Sequence, residues 1–162
     1  MANKDIVKGF EPFGRIYEVN EYLAGATCYP GDLLKLKSAG DVEPAAASDA
    51  CVGVALNYAT SGSQVLVADH PMQLFMGQSD DSTIDAQTDL GLNCNFIVAA
   101  GNATYRRSGM EIDGSEINTT ATLPLRIVRI VPAVDNALGA NVKCVVRINN
   151  HQNGSSTGVA GV

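Results

Sequence analysis

Apolar and polar positions alternate with a period of two along most of this chain, as expected of strands whose successive side chains point to opposite faces. In residues 32–37, Leu34 and Leu36 fall on one face and Lys35 and Lys37 on the other. Residues 141–149 set Val142, Cys144, Val146 and Ile148 against Lys143, Val145, Arg147 and Asn149. Residues 93–100 set Cys94, Phe96 and Val98 against Asn95 and Ile97. Residues 50–59 are apolar on both parities, which marks a central strand covered on both sides. The turn Thr60-Ser61-Gly62-Ser63 then leads into Val65, Leu66 and Val67, a predicted hairpin. Residues 72–77 follow Pro71 as a further strand. Residues 122–131 are strongly β-branched, with Pro124 marking a strand start or an edge. They pair in expectation with residues 141–149 across a longer loop. Helical periodicity is confined to one possible turn over residues 85–90.

Short strands separated by turn residues predict an all-β fold, a single β-barrel or β-sandwich, with a jelly-roll-like arrangement among the options. One domain over residues 24–150 accounts for most of the 162-residue chain. Residues 1–23 carry Phe10, Phe13, Tyr17 and Tyr22 among glycines and charges, with Pro12 opposing regular pairing. They read as an extended N-terminal arm or a first, irregular strand. Residues 151–162 have the polar, Gly-rich composition of a flexible C-terminal tail.

Composition narrows the function classes. The net charge is −6, which argues against nucleic acid as a partner, because duplex binding needs a basic stripe. Charged residues make up 17% of the chain, below the usual ~25%. The deficit fits either a surface partly covered by neighbours or a β domain faced with Thr, Ser and Asn. No Lys or Arg occurs between Ser38 and Tyr105, a stretch that holds eight acids. This asymmetry fits either head-to-tail docking of copies or two mixed faces of one domain. Cys28, Cys51, Cys94 and Cys144 form no C-x-x-C pair and are expected as free, buried thiols of a chain made in a reducing cytoplasm. The N-terminal residues lack the apolar run of a signal peptide, and no stretch has the length of a membrane helix, so no membrane partner is expected.

No catalytic set emerges. His70 and His151 are the only histidines, and neither is spaced with Cys or carboxylates as a metal ligand would be. Asp80, Asp81, Asp85 and Asp89 are the densest acidic cluster, but they lack EF-hand spacing and read as a solvated loop, an interface or a weak Ca²⁺ site. Neither G-x-S-x-G nor a phosphate-binding G-K-[ST] loop is present. Arg106 and Arg107 sit in a glycine-flanked turn, where they can pair with acids on a neighbour or face solvent. The expectation is a non-enzyme with no cofactor, no catalytic residue and no metal.

Three segments of the last third, R-S-G-M-E at 107–111, L-P-L-R-I-V-R-I-V-P-A-V-D-N at 123–136 and V-V-R-I-N-N-H-Q at 145–152, carry a resemblance. Pro30-Gly31-Asp32, Val52-Gly53-Val54-Ala55 and residues 65–69 extend it. Together they resemble the capsid decoration, or cement, proteins of tailed phages. The resemblance implies a structural virion protein on the capsid exterior, synthesised in the host cytoplasm. It implies major capsid protein as partner, self-association as a homotrimer, and clamping of neighbouring shell subunits. Another virion component (tail, fibre-base or head–tail joining protein) and a carbohydrate-binding β-domain are the alternatives. The candidate partner-binding residues are Phe10, Phe13, Tyr17 and Tyr22 on the arm, Arg106 and Arg107 in the turn, and His151 and Gln152 where the resemblance ends.

Overall fold

The computed structural model describes residues 3–80, 84, 87–154 and 157–162. Eleven strands among them form two antiparallel sheets. The strands are β1 (Glu11–Pro12), β2 (Asn20–Leu23), β3 (Leu33–Leu36), β4 (Val42–Pro44), β5 (Gly53–Ala55), β6 (Gln64–Ala68), β7 (Leu74–Gln78), β8 (Asn93–Ile97), β9 (Glu111–Asn118), β10 (Leu125–Ile130) and β11 (Lys143–Ile148). A single 3-10 turn covers Gln87–Asp89. The larger sheet runs β1-β7-β11-β10-β8-β9 and the smaller β2-β6-β5-β3-β4. This is the sandwich of the two expected architectures; among the described residues no closed barrel forms.

Each sheet curls because a residue just beyond one strand reaches back to another. Ser79, after β7, bridges Ile112 of β9. Ala24, after β2, bridges Val42 of β4, and the Gly25 amide donates to the Val42 carbonyl at 2.7 Å. The curl of the smaller sheet explains why strands β3, β5 and β6 are apolar on both faces. Leu34, Val42, Val52, Ala55, Val65 and Val67 fill its concave side, joined by Cys28 and Ala59. Leu33, Val54 and Ala68 point the other way, into the core shared with the larger sheet. That second core holds Phe75, Phe96, Ile112, Leu125, Ile127 and Val146. Each such side chain contributes about 1.5–3 kcal/mol by leaving water.

The alternation expected of residues 32–37 is present: Leu34 and Leu36 face the inner core, while Lys35 pairs with Glu43 at 3.4 Å and Asp49 at 3.0 Å. Lys37 reaches Asp41 and Glu43. Three acids of the cation-free stretch are thus neutralised by lysines of the neighbouring strand, the mixed-face reading of the charge asymmetry. Residues 53–55 occupy the centre of their sheet, and the β5–β6 and β10–β11 pairings match the two predicted hairpins. All four cysteines are buried free thiols. Burial pushes Cys28 and Cys144 up to about 12.

Two expectations change. The described residues 3–23 of the first segment include strands, as in the irregular-strand alternative, and lie along the body. Its β1 pairs with β7, its β2 edges the smaller sheet, and the Phe13 amide donates to the Leu74 carbonyl at 2.9 Å. The described part of the 151–162 tail is also held down. The Gly161 amide donates to Thr119 and the Val162 amide to Gly91. Backbone donors and acceptors satisfied on the body oppose the chain entropy that the composition suggested.

Candidate interaction surface

Two adjacent arginines, neither with an ion-pair partner among the described residues, lie on the turn between β8 and β9. Asn102 and Arg107 close it through reciprocal backbone hydrogen bonds of 2.7 and 3.1 Å. The Asn102 side-chain oxygen accepts from the Tyr105 amide at 3.0 Å, the local bond that makes Asn a turn former. Arg106 sits at φ 51°, in the left-handed region that disfavours a residue with a Cβ. Such an outlier costs of order 1 kcal/mol and persists where the surroundings dictate it. Here the Arg106 guanidinium lies 4.6 Å from the centre of the Tyr58 ring, and Tyr58 packs tilted on Tyr29 at 5.4 Å. Arg107 lies 5.7 Å from the Tyr105 ring, and Tyr105 is 70% exposed.

Both arginines line a cleft of about 330 Å³ with Lys8, Pro12, Pro30 and Leu56. Lys8 pairs with Glu11 at 3.0 Å on its rim. Neither Arg106 nor Arg107 has an ion-pair partner among the described residues. The sequence marks the pair of arginines. It gives no sign of Tyr29 and Tyr58, which come from the other sheet's loops and meet Arg106 only in the fold.

The other candidate residues divide between surface and interior. Phe10 is a core residue, 1% exposed, which corrects its assignment as a surface anchor. Its ring lies over Gly77, where a Cβ would come within 2.5 Å of Phe10 Cε1. Phe13 is half-buried beneath Arg129, whose guanidinium is 5.5 Å from the ring. Tyr17 is exposed, stacks on His70 at 4.7 Å and carries Arg15 on its ring at 5.2 Å. Tyr22 donates to Asp69 Oδ2 at 2.6 Å, and Asn20 donates to the same carboxylate. Burial, then the Asp69 hydrogen bond, pushes the Tyr22 hydroxyl up to about 12.

His151 is likewise an interior residue, so it is unavailable to a partner in this conformation. It bridges Cys51, its Nδ1 accepts from the Asn153 amide at 3.0 Å, and its Nε2 has no hydrogen-bond partner among the described residues. Desolvation pulls its pKa down. Gln152 clasps the backbone of Leu36, accepting from its amide at 2.7 Å and donating to its carbonyl at 3.0 Å. It thereby satisfies part of strand β3 that would otherwise face solvent.

Of the acidic cluster, Asp81 and Asp85 lie outside the described residues. Asp80 accepts from the Gly114 amide at 3.1 Å. Among the described residues, no three His, Cys, Asp or Glu side chains are grouped to hold a metal ion, and no helix is long and apolar enough to cross a membrane. The candidate residues that come together are therefore Arg106 and Arg107, with Tyr29, Tyr58 and Tyr105 added by the fold. Comparison with known protein families, with curated proteins and with solved structures finds no match for this chain.

Proposed function

We propose that this chain is a structural protein of a tailed-phage virion, docking on the capsid exterior and bracing neighbouring major capsid protein subunits. The Tyr105-Arg106-Arg107 turn is its docking contact in this reading. The observation that carries the contact is the pair of arginines with no acid partner among the described residues, displayed with an exposed tyrosine on a chain of net charge −6. Arg and Tyr are the residues most enriched where truncation costs binding energy, and a planar guanidinium suits an acidic patch on a partner. The body behind the turn is two packed sheets. The capsid enters through the sequence resemblance, and self-association as a trimer belongs to the same proposal. A trimer contacting several shell subunits gains avidity from effective concentration without additional contacts per copy.

The test is sedimentation of purified protein with expanded and unexpanded shells of the major capsid protein encoded beside it. Binding is expected to expanded shells. The Arg106→Ala/Arg107→Ala variant is expected to lower affinity by about tenfold or more, the loss of one or two charge-assisted contacts, while keeping the folded circular-dichroism spectrum. Undiminished occupancy in the variant rejects the turn as the contact. Failure of the unaltered protein to bind either shell rejects the capsid reading.

A further inference from the structure

The 157–162 segment occupies a groove built to read a peptide backbone. Asn93, completely enclosed, donates from Nδ2 to the Val159 carbonyl at 2.7 Å. Asn149, also buried, accepts from the Val159 amide at 3.1 Å. Arg126 is oriented by Asn93 Oδ1 at 3.0 Å, and its Nη2 donates to the carbonyls of Val159, at 3.0 Å, and Ala160. The Thr119 and Gly91 carbonyls accept from the Gly161 and Val162 amides.

The groove also dictates which sequence fits. Gly158 has φ +70°, and a Cβ there would lie 2.0 Å from the Ala121 carbonyl oxygen. A Cβ at Gly161 would press on Leu92 Cα at 3.1 Å and on Asn118 O and Asn93 N at 3.2 Å. The Val159 and Val162 side chains are 55% and 90% exposed, so little apolar burial holds the segment. Recognition is thus by backbone hydrogen bonds, by exclusion of any side chain at position 158 and by crowding of one at position 161, a preference for Gly-x-x-Gly.

We infer that this groove is a peptide-binding site selective for the Gly158-Val-Ala-Gly161 motif, and that it accepts the motif from a second copy of the chain. Vacating the groove would cost Asn93 and Asn149 one hydrogen bond each, and Arg126 both bonds of its Nη2, so an occupied groove is favoured. The same motif on another copy offers the identical backbone and the identical glycines. Exchange therefore conserves every hydrogen bond and ties two copies together, the low-cost route of segment swapping. The five residues 153–157 reach at most about 17 Å when extended, so the two copies must be direct neighbours. The inference does not rest on the capsid reading and is tested without shells.

The experiment uses the full chain with a photoreactive phenylalanine analogue in place of Val159, prepared in light and isotopically heavy forms. The two are mixed at high concentration, unfolded and refolded together, and irradiated. Cross-linked peptides are then read by mass spectrometry. The expected result is cross-links from position 159 to the groove residues 119–126, including links that join light to heavy copies. Gly158→Val in the same chain is expected to abolish those links. Arg126→Ala, which leaves both glycines in place, is expected to weaken them about tenfold or more, through loss of its charge-assisted hydrogen bonds to Val159 and Ala160. Links confined to light–light and heavy–heavy pairs overturn exchange between copies. Links that survive Gly158→Val overturn the selectivity.

Discussion

Phe10 is the residue where the first segment is most tightly fastened to the body, and it supports a quantitative prediction. Its ring is 1% exposed in the core between the sheets and rests on the bare Cα of Gly77. Phe10→Ala removes that ring and leaves a cavity, at a cost of about 3–5 kcal/mol. The total for a domain of this length is of order 8–24 kcal/mol, so the loss is large but leaves a measurable folded state. Gly77→Ala has the opposite defect. Its Cβ would meet Phe10 Cε1 at 2.5 Å and Cδ1 at 2.7 Å, so the ring must move, at about 1–3 kcal/mol. The two substitutions share one contact and must couple. In the Phe10→Ala background the new methyl enters the vacated space, and the Gly77→Ala penalty should vanish or reverse. Equilibrium urea unfolding of the four proteins measures all three quantities, provided the m-values agree. A Phe10→Ala loss below about 1 kcal/mol, or strict additivity of the pair, would show that the first segment is not fastened to the body in solution.

Three further outcomes follow from buried groups. His151 is held neutral by desolvation, so below its unfolded pKa near 6.5 the unfolded chain binds a proton that the folded chain refuses. Stability should therefore fall as pH drops from about 7 toward 5 and be level above 7, and His151→Gln should flatten that slope in unfolding titrations; Asp32, whose pKa is raised by burial, acts with the opposite sign, so Asp32→Asn is the matched control. The four buried thiols should resist a thiol-reactive chromophore in the native protein and react together once urea unfolds it, and rapid labelling of native Cys28 or Cys144 would contradict their burial. Gln152→Ala removes two hydrogen bonds to Leu36 and should cost about 1–2 kcal/mol with faster amide exchange at Leu36, whereas unchanged exchange there would contradict the clasp.

The strands legible in the sequence are those whose side chains divide cleanly between water and core. Strands β3, β5, β10 and β11 fall where alternation or a doubly apolar run places them, because burial on a pleated sheet imposes a period of two. The longest strand, β9, gives no such signal. It contains Asp113, Gly114, Ser115 and Glu116, and its register against β8 shifts between Cys94 and Asn95. Asp113 accepts from both the Ser115 amide and its hydroxyl, and Asn95 donates to Glu116. Polar side chains satisfied by one another let an edge strand bulge without an apolar pattern. Of the candidate contacts, the sequence marks Arg106 and Arg107 by their spacing in a glycine-flanked turn. The aromatic residues of 1–23 look alike in composition, yet Phe10 is interior and Tyr17 exposed, a difference set by Gly77 on a distant strand.

What the chain's pattern determines by itself is the all-β class, the central strand of the smaller sheet, two hairpins and four thiols unpaired by disulfides. These follow from local preferences: where side chains point, which residues turn, and which are small and apolar. The tertiary structure alone decides between barrel and sandwich, because that depends on how far each sheet curls, and the bridges that accompany the curl, such as Ala24–Val42, join residues distant in sequence. It alone fastens the two ends to the body. Polar, Gly-rich composition measures only the entropy that ordering must overcome, whereas Asn93, Arg126 and Asn149, gathered from three separate segments, supply the hydrogen bonds that offset it.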